Sequence, residues 1–143
     1  MESAKILLVD DEQEFTDILS ERLTDRGYNV ESAKDGFEAI NKVGGSNYDA
    51  IFLDLAMPGI DGIETLKKII AKNPDLQIYL LTGKATLQKG IEAVKLGAID
   101  VLEKPVDITE LVNRIKDAQT QKMVLMQTEL EHKIGDILHS KGW

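Results

Sequence analysis

Short strand-like runs alternate with helically spaced segments five times along this chain, and that alternation constrains the fold most. The runs are Lys5–Val9, Asn29–Ala33, residues 48–53, residues 76–81 and residues 98–102. Between the first two, residues 13–26 place Phe15, Ile18, Leu19 and Leu23 at helical intervals before Gly27. Residues 36–43 repeat the pattern with Phe37, Ile40 and Val43, closed by Gly44-Gly45. Ile63, Leu66, Ile69 and Ile70 precede Asn73-Pro74; Leu87, Ile91 and Val94 precede Gly97; a last helix starts near Asp107. Apolar residues three and four apart bury one helix face, and a proline or glycine stops each helix. Five strands alternating with five helices predict a parallel sheet covered on both faces, with right-handed crossovers.

Chemistry-bearing residues fall at the ends of three of these runs: Asp10-Asp11, Asp54 and Lys104-Pro105. In an open parallel sheet all strand carboxyl ends share one edge, so these groups are expected in one crevice. Three carboxylates together repel unless a cation lies among them, and Mg²⁺ is the hard, oxygen-seeking ion that suits them. With the lysine as a second positive charge, such a site would receive a phosphoryl group. Taken singly, each residue has a plainer reading. The Asp pair can cap a helix, Thr82 can be an ordinary strand residue, and Lys104 a solvated cation.

With 143 residues, 43% hydrophobic and 29% charged, the chain reads as one domain able to fold unaided. No apolar stretch approaches the ~18 residues of a membrane span, and residues 1–5 lack a signal-peptide core. There is no cysteine, which excludes disulfides and thiolate metal sites. A cytoplasmic location is the expectation. The formal charge is −8; residues 122–143 balance Lys122, Lys133 and Lys141 against Glu129, Glu131 and Asp136, so the whole −8 lies in residues 1–121. So acidic a body is a poor match for phosphate backbones, and direct nucleic-acid binding is not expected.

Five segments, in order, resemble a known family: Leu8-Val-Asp-Asp11, residues 53–59 (Leu-Asp-Leu-Ala-Met-Pro-Gly), Asp61-Gly62, Leu81-Thr-Gly83 and Lys104-Pro105. Over about residues 4–121 the chain resembles the receiver domain of two-component response regulators, in the CheY-like superfamily. The resemblance implies a flavodoxin-like doubly wound sheet of order 2-1-3-4-5. It implies that Asp54 is the phosphoacceptor and that Asp10, Asp11, Asp54 and the Ala56 carbonyl hold Mg²⁺, Asp11 directly and Asp10 through water. Thr82 and Lys104 would bind phosphoryl oxygens, with a cis Lys104-Pro105 bond aiming the lysine inward. The donor would be a phosphohistidine on a sensor histidine kinase or phosphotransfer protein. The domain would be a phosphoacceptor switching a surface near the fourth helix and fifth strand, not an enzyme acting on other substrates. Two residues depart from the pattern: Val101 stands where the family has an aromatic ring, and Lys84 follows Thr82 by two.

Two rivals fit less well. A haloacid-dehalogenase phosphatase needs an acid two residues after its nucleophile, where this chain has Ala56. A flavodoxin needs a small polar phosphate loop where this chain has Asp10-Asp11-Glu12. An N-terminal piece of a longer regulator is the remaining alternative. Beyond the receiver, residues 122–143 read as a helical extension carrying Met123, Met126, Leu130, Ile134 and Ile137 on one stripe, suited to self-association or partner docking.

Overall fold

The computed structural model describes residues 4–57, 59–83 and 87–140. Pro58, in the turn after the third strand, and Lys84 lie outside the described residues, as do residues 141–143. Five strands, β1 (Lys5–Val9), β2 (Asn29–Ala33), β3 (Ala50–Asp54), β4 (Ile78–Thr82) and β5 (Asp100–Glu103), form one parallel sheet of order β2-β1-β3-β4-β5. Helices α1 (Gln13–Asp25), α2 (Gly36–Gly45), α3 (Gly62–Lys72) and α4 (Leu87–Lys95) make the four connections, and α5 (Ile108–Ser140) follows β5. The doubly wound fold expected from the alternation is therefore present.

Strand side chains alternate between faces, and each face carries its own core. Leu7, Val9, Ile51, Leu53, Ile78 and Leu80 pack with Ala39 and Val43 of α2, Leu66 and Ile69 of α3, and Ala93 of α4. On the other face Ile6, Leu8, Phe52, Tyr79 and Leu81 meet Leu19 and Leu23 of α1 and Leu111, Ile115 and Ala118 of α5. Burial on both faces is what makes the strands read as continuous apolar runs.

Three strands begin two residues later than the apolar pattern predicts. Tyr48, Leu76 and Ala98 are buried, yet they lie in the chain entering the sheet. Asp49 shows why: its N–H donates to the Lys5 carbonyl while its carboxylate accepts from the Lys5 N–H, a local clasp at the sheet's lower edge. At the upper edge β3 and β4 each run one residue further than predicted, so Asp54 and Thr82 are the last residues of their strands. Gly44-Gly45 closes α2 as expected, the two glycines forming its last residues before Ser46 turns extended. Phe37, Ile18 and Ile91, though helically spaced, are largely exposed; Phe37 is 64% accessible while Ala39 and Val43 seal α2 to the sheet.

The loop from β3 into α3 is fixed by Asp61, whose side chain accepts from the Ile63 N–H at 2.9 Å. Behind that cap, a Cβ on Gly62 would fall 2.7 Å from the Leu55 Cα and 2.9 Å from its carbonyl oxygen. Backbone cannot yield as a side-chain tip can. Gly62→Ala is expected to cost about 2 kcal/mol by forcing the loop after Asp54 outward. Urea denaturation measures this; an unchanged midpoint would show that the loop gives way freely.

Candidate functional site

Strand register gathers the site. Asp10 follows β1, and its N–H bonds the Ala33 carbonyl of β2 at 3.0 Å. Asp54 ends β3 opposite Leu81, and Thr82 ends β4 opposite Glu103. The Lys104 N–H extends that ladder by one bond, to the Thr82 carbonyl at 2.7 Å, and Lys104-Pro105 is cis. Four residues separated by up to 94 positions thus stand along one sheet edge. Asp10, Asp54 and Thr82 are 4%, 3% and 0% exposed.

Each buried carboxylate spends one oxygen on the backbone. Asp10 Oδ1 accepts from the Glu12 N–H at 2.9 Å, and Asp54 Oδ1 from the Ala56 N–H at 3.0 Å. Their other oxygens face Lys104, whose Nζ lies 2.6 Å from Asp10 Oδ2, 3.5 Å from Asp54 Oδ2 and 3.4 Å from Glu12 Oε1. The same ammonium sits 4.4 Å from the centre of the Phe15 ring, held by charge attraction to the ring face.

Three carboxylates against one ammonium leave a formal charge of −2 on a largely buried cluster. Burial, reinforced by the Asp54 charge, raises the Asp10 pKa despite the opposing bonds from Lys104 and the Glu12 N–H. Burial alone would depress Lys104, but its hydrogen bond to Asp10 and the charges of Asp54, Asp10 and Glu12 prevail and raise it. The two shifts differ in their main cause, burial for Asp10 and neighbouring carboxylates for Lys104, but the negative charge that holds the lysine proton would equally hold a cation. Carboxylate oxygens of Asp10, Glu12 and Asp54 all lie within 4.8 Å of one another, hard donors of the kind Mg²⁺ takes.

Of the residues singled out by sequence, Asp10, Asp54 and Lys104 are in direct contact. Thr82 lies on the adjacent strand end, and Ala56 is tied to Asp54 through its N–H. Asp11 and Glu12 are both exposed, and of the two it is Glu12 whose carboxylate lies within the group. The acidic run Asp10-Asp11-Glu12 was the signal that could have pointed to Glu12. Phe15 carried no such signal, since its spacing marked it only as a core residue of α1.

The Thr82 hydroxyl is buried without a hydrogen-bond partner among the described residues. An unpaired buried hydroxyl costs roughly 1–3 kcal/mol, so Oγ1 is a donor waiting for an acceptor. Its methyl contributes to a tight contact: a Cβ on Gly90 of α4 would lie 3.2 Å from Thr82 Cγ2 and 2.9 Å from Val101 Cγ1. At Gly90, then, α4 rests directly on Thr82 and on the valine that replaces the expected aromatic ring.

A family model, described as "Response regulator receiver domain", matches residues 6–116. Among curated proteins the chain is 42% identical over 113 residues to the transcriptional regulatory protein CpxR homolog of Haemophilus influenzae, covering 79% of this chain and 49% of that protein. It is 37% identical over 117 residues to the transcriptional regulatory protein ZraR of Klebsiella oxytoca, covering 82% of this chain and 26% of that protein. The chain thus spans about half or less of these relatives. Among solved structures, a response regulator receiver domain protein from Clostridium thermocellum is 31% identical with a TM-score of 0.82, covering 85% of this chain and 98% of that one. An adenylate cyclase structure from Rhodopirellula baltica is 28% identical with a TM-score of 0.85, covering 92% and 98%.

Proposed function

The chain belongs to the response regulator receiver domain family of two-component signalling, and from that premise we propose that Asp54 accepts a phosphoryl group from a phosphohistidine in a Mg²⁺-dependent transfer. One observation carries the assignment. Asp54 is a buried carboxylate at the end of the central strand, and its Oδ2 faces Lys104 inside the acidic group. Asp10, Asp11 and Asp54 with the Ala56 carbonyl would hold Mg²⁺, and Glu12 adds a carboxylate within reach. When bound, the ion supplies charge neutralisation at the phosphoryl oxygens.

The chain's own residues then position and stabilise. Asp54 Oδ2 forms the new O–P bond as the N–P bond of the donor histidine breaks, and the imidazole leaves with the electron pair. Charge on the equatorial oxygens is met by the Lys104 ammonium and the Thr82 hydroxyl. Later hydrolysis breaks the Asp54 O–P bond by water attack and restores the carboxylate. The domain acts on its own aspartate and not on an outside substrate. A sensor histidine kinase or a phosphotransfer protein is the proposed donor, acting in the cytoplasm. Among the described residues no helix is long and apolar enough to cross a membrane. The acidic body argues against direct nucleic-acid contact.

The coverage of the curated relatives supports a second reading, that residues 1–121 are the regulatory piece of a longer regulator. Intact mass after incubation with a small-molecule phosphodonor tests the main proposal. One phosphoryl mass should appear with Mg²⁺ and not with chelator; no gain under either condition rejects it.

Thr82→Val separates chemistry from switching. Valine keeps the shape while removing an unsatisfied buried hydroxyl, so the resting protein should gain about 1 kcal/mol. Phosphoryl uptake should slow roughly tenfold, the loss of one donor to the transition state. Amide shifts in α4 on adding beryllofluoride and Mg²⁺ should shrink, because Thr82 touches that helix at Gly90. Wild-type shifts in the variant would show that α4 is moved by another route.

A further inference from the structure

Helix α5 runs unbroken for 33 residues, about 50 Å, and only its first part covers the sheet. Leu111, Ile115 and Ala118 are buried against β1, β3 and β4 side chains. One turn further, Lys122 Nζ bonds Asp49 Oδ1 at 2.8 Å, and Leu125 lies half-buried beside Tyr48 and Leu76. The helix is thus rooted at the sheet's lower edge, and its direction beyond that edge is set by its own domain.

Met123, Met126, Leu130, Ile134 and Ile137 follow at intervals of three, four, four and three, and are 49–70% exposed. At 100° per residue these five average about 100° round the helix from the line of Leu111, Ile115, Ala118 and Leu125. The stripe therefore faces sideways from the core-facing line; only Met126, at its near end, borders the groove with Tyr48 and Leu76, and a straight, rooted helix cannot turn the rest back onto its own sheet. The 3-4-4 spacing is a fragment of an eleven-residue repeat, close to the helix's own period, so the stripe runs nearly parallel to the axis. A contiguous apolar patch of this extent marks an interaction surface.

We propose that residues 126–137 pair with the same segment of a second copy, antiparallel about a two-fold axis near residues 131–132. The inference is independent of the phosphoryl chemistry assigned to Asp54. Three observations select that occupant and orientation. Placing the axis there sets Met126 opposite Ile137 and Leu130 opposite Ile134 of the second copy, each contact occurring twice as a two-fold interface requires. One flank of the stripe carries Glu129 and Lys133, 3.4 Å apart within the helix. In the antiparallel pair this flank meets itself, so each Glu129 gains the other copy's Lys133 and four alternating charges share one edge. The opposite flank, Gln127 and Glu131, then also meets its own copy, whereas a parallel pair would set Glu129 and Lys133 together against that flank and lose the alternation.

The third observation is global charge. The whole −8 resides in residues 1–121, while the extension is balanced. Antiparallel pairing sends the two acidic bodies to opposite ends, farther apart than the ~8 Å screening length; parallel pairing would bring them together. Four apolar side chains per copy, with their flanking residues, give an interface on the order of 1,000 Å² in total, the lower end of specific association. A reversible dimer of micromolar strength is the consequence.

The absence of native cysteine makes the test clean. Met126→Cys and Ile137→Cys, each in the full chain, are oxidised separately and as a mixture. Antiparallel pairing puts the two copies of either position about 16 Å apart and brings 126 next to 137, whereas a disulfide needs Cα atoms roughly 6 Å apart. The mixture should give the mixed disulfide, and neither variant should link to itself. In sedimentation the wild type should show a concentration-dependent dimer. Leu130→Glu should abolish it with phosphoryl uptake unchanged, and with the melting temperature unchanged at dilutions where the wild type is monomeric. Self-linking of each variant with no mixed product would establish a parallel pair and overturn the proposal. So would a monomer at every concentration with no disulfide, which would leave the stripe to a different protein.

Discussion

Asp54→Asn should take up no phosphoryl group from any donor while folding at least as well as the wild type. An amide in the same shape keeps its oxygen on the Ala56 N–H, a 3.0 Å bond that orients the side chain. What disappears is the nucleophilic oxygen and one of three negative charges around Lys104. Relieving that repulsion takes the cluster from −2 to −1, and in the absence of Mg²⁺ the variant should be more stable by about 1 kcal/mol. Mg²⁺ should raise its melting temperature less than it raises the wild type's, because a ligand stabilises only through its affinity for the folded state. Loss of phosphorylation with retained or improved stability excludes the trivial explanation of unfolding. Intact mass after donor treatment is decisive: a phosphoryl group on Asp54→Asn would mean that another residue is the acceptor.

That this pocket was readable before any coordinates has a physical basis. Strand termini of a parallel sheet are brought together by topology, so Asp10, Asp54, Thr82 and Lys104 could be placed at one edge from alternation alone. Burial on both faces wrote β1, β3 and β4 as apolar runs. The same signal overran its meaning at Tyr48, Leu76 and Ala98, because burial marks what is covered and not what is hydrogen-bonded in a ladder. Helical spacing likewise named Phe37, Ile18 and Ile91 as core, but a helix lying on a sheet needs only a narrow line of contacts, and in α2 small Ala39 supplies part of it. Within the site, backbone position was legible and side-chain choice was not. Asp11 and Glu12 are exposed neighbours, and which of them reaches the rim of the site depends on how the chain leaves β1. Phe15 could not be foreseen beside Lys104, because their contact joins α1 to the loop after β5 across 88 intervening residues.

Removing the ammonium should have the larger structural effect. Lys104→Met keeps a similar stem against Phe15, with sulfur a favourable partner for the ring. It leaves Asp10, Asp54 and Glu12 facing one another without a cation. Deleting one partner of a buried ion pair strands the other, and a loss of about 3 kcal/mol is expected at neutral pH without Mg²⁺. In the wild type the Lys104 pKa is raised by folding, so its stabilising contribution is complete below the ordinary lysine value and fades only as alkaline pH passes the folded one. The substitution removes that contribution across the neutral range. Asp10 has the opposite consequence: its folded pKa is raised, so ionising it destabilises the fold, and acidification relieves this. Two influences that hold the Asp10 pKa down, the hydrogen bond and the charge of Lys104, vanish in the variant, and its upward shift widens. The stability gap between the proteins should therefore narrow as pH falls from about 7.5 to about 5, and saturating Mg²⁺ should narrow it at neutral pH. Phosphoryl uptake should slow by roughly a hundredfold even with Mg²⁺ present, as one of the charges meeting the transferring group is gone. Urea titrations at the two pH values with and without Mg²⁺ test the electrostatic part. A gap of constant size under all four conditions would mean that Lys104 stabilises the edge through its stem and not through its charge.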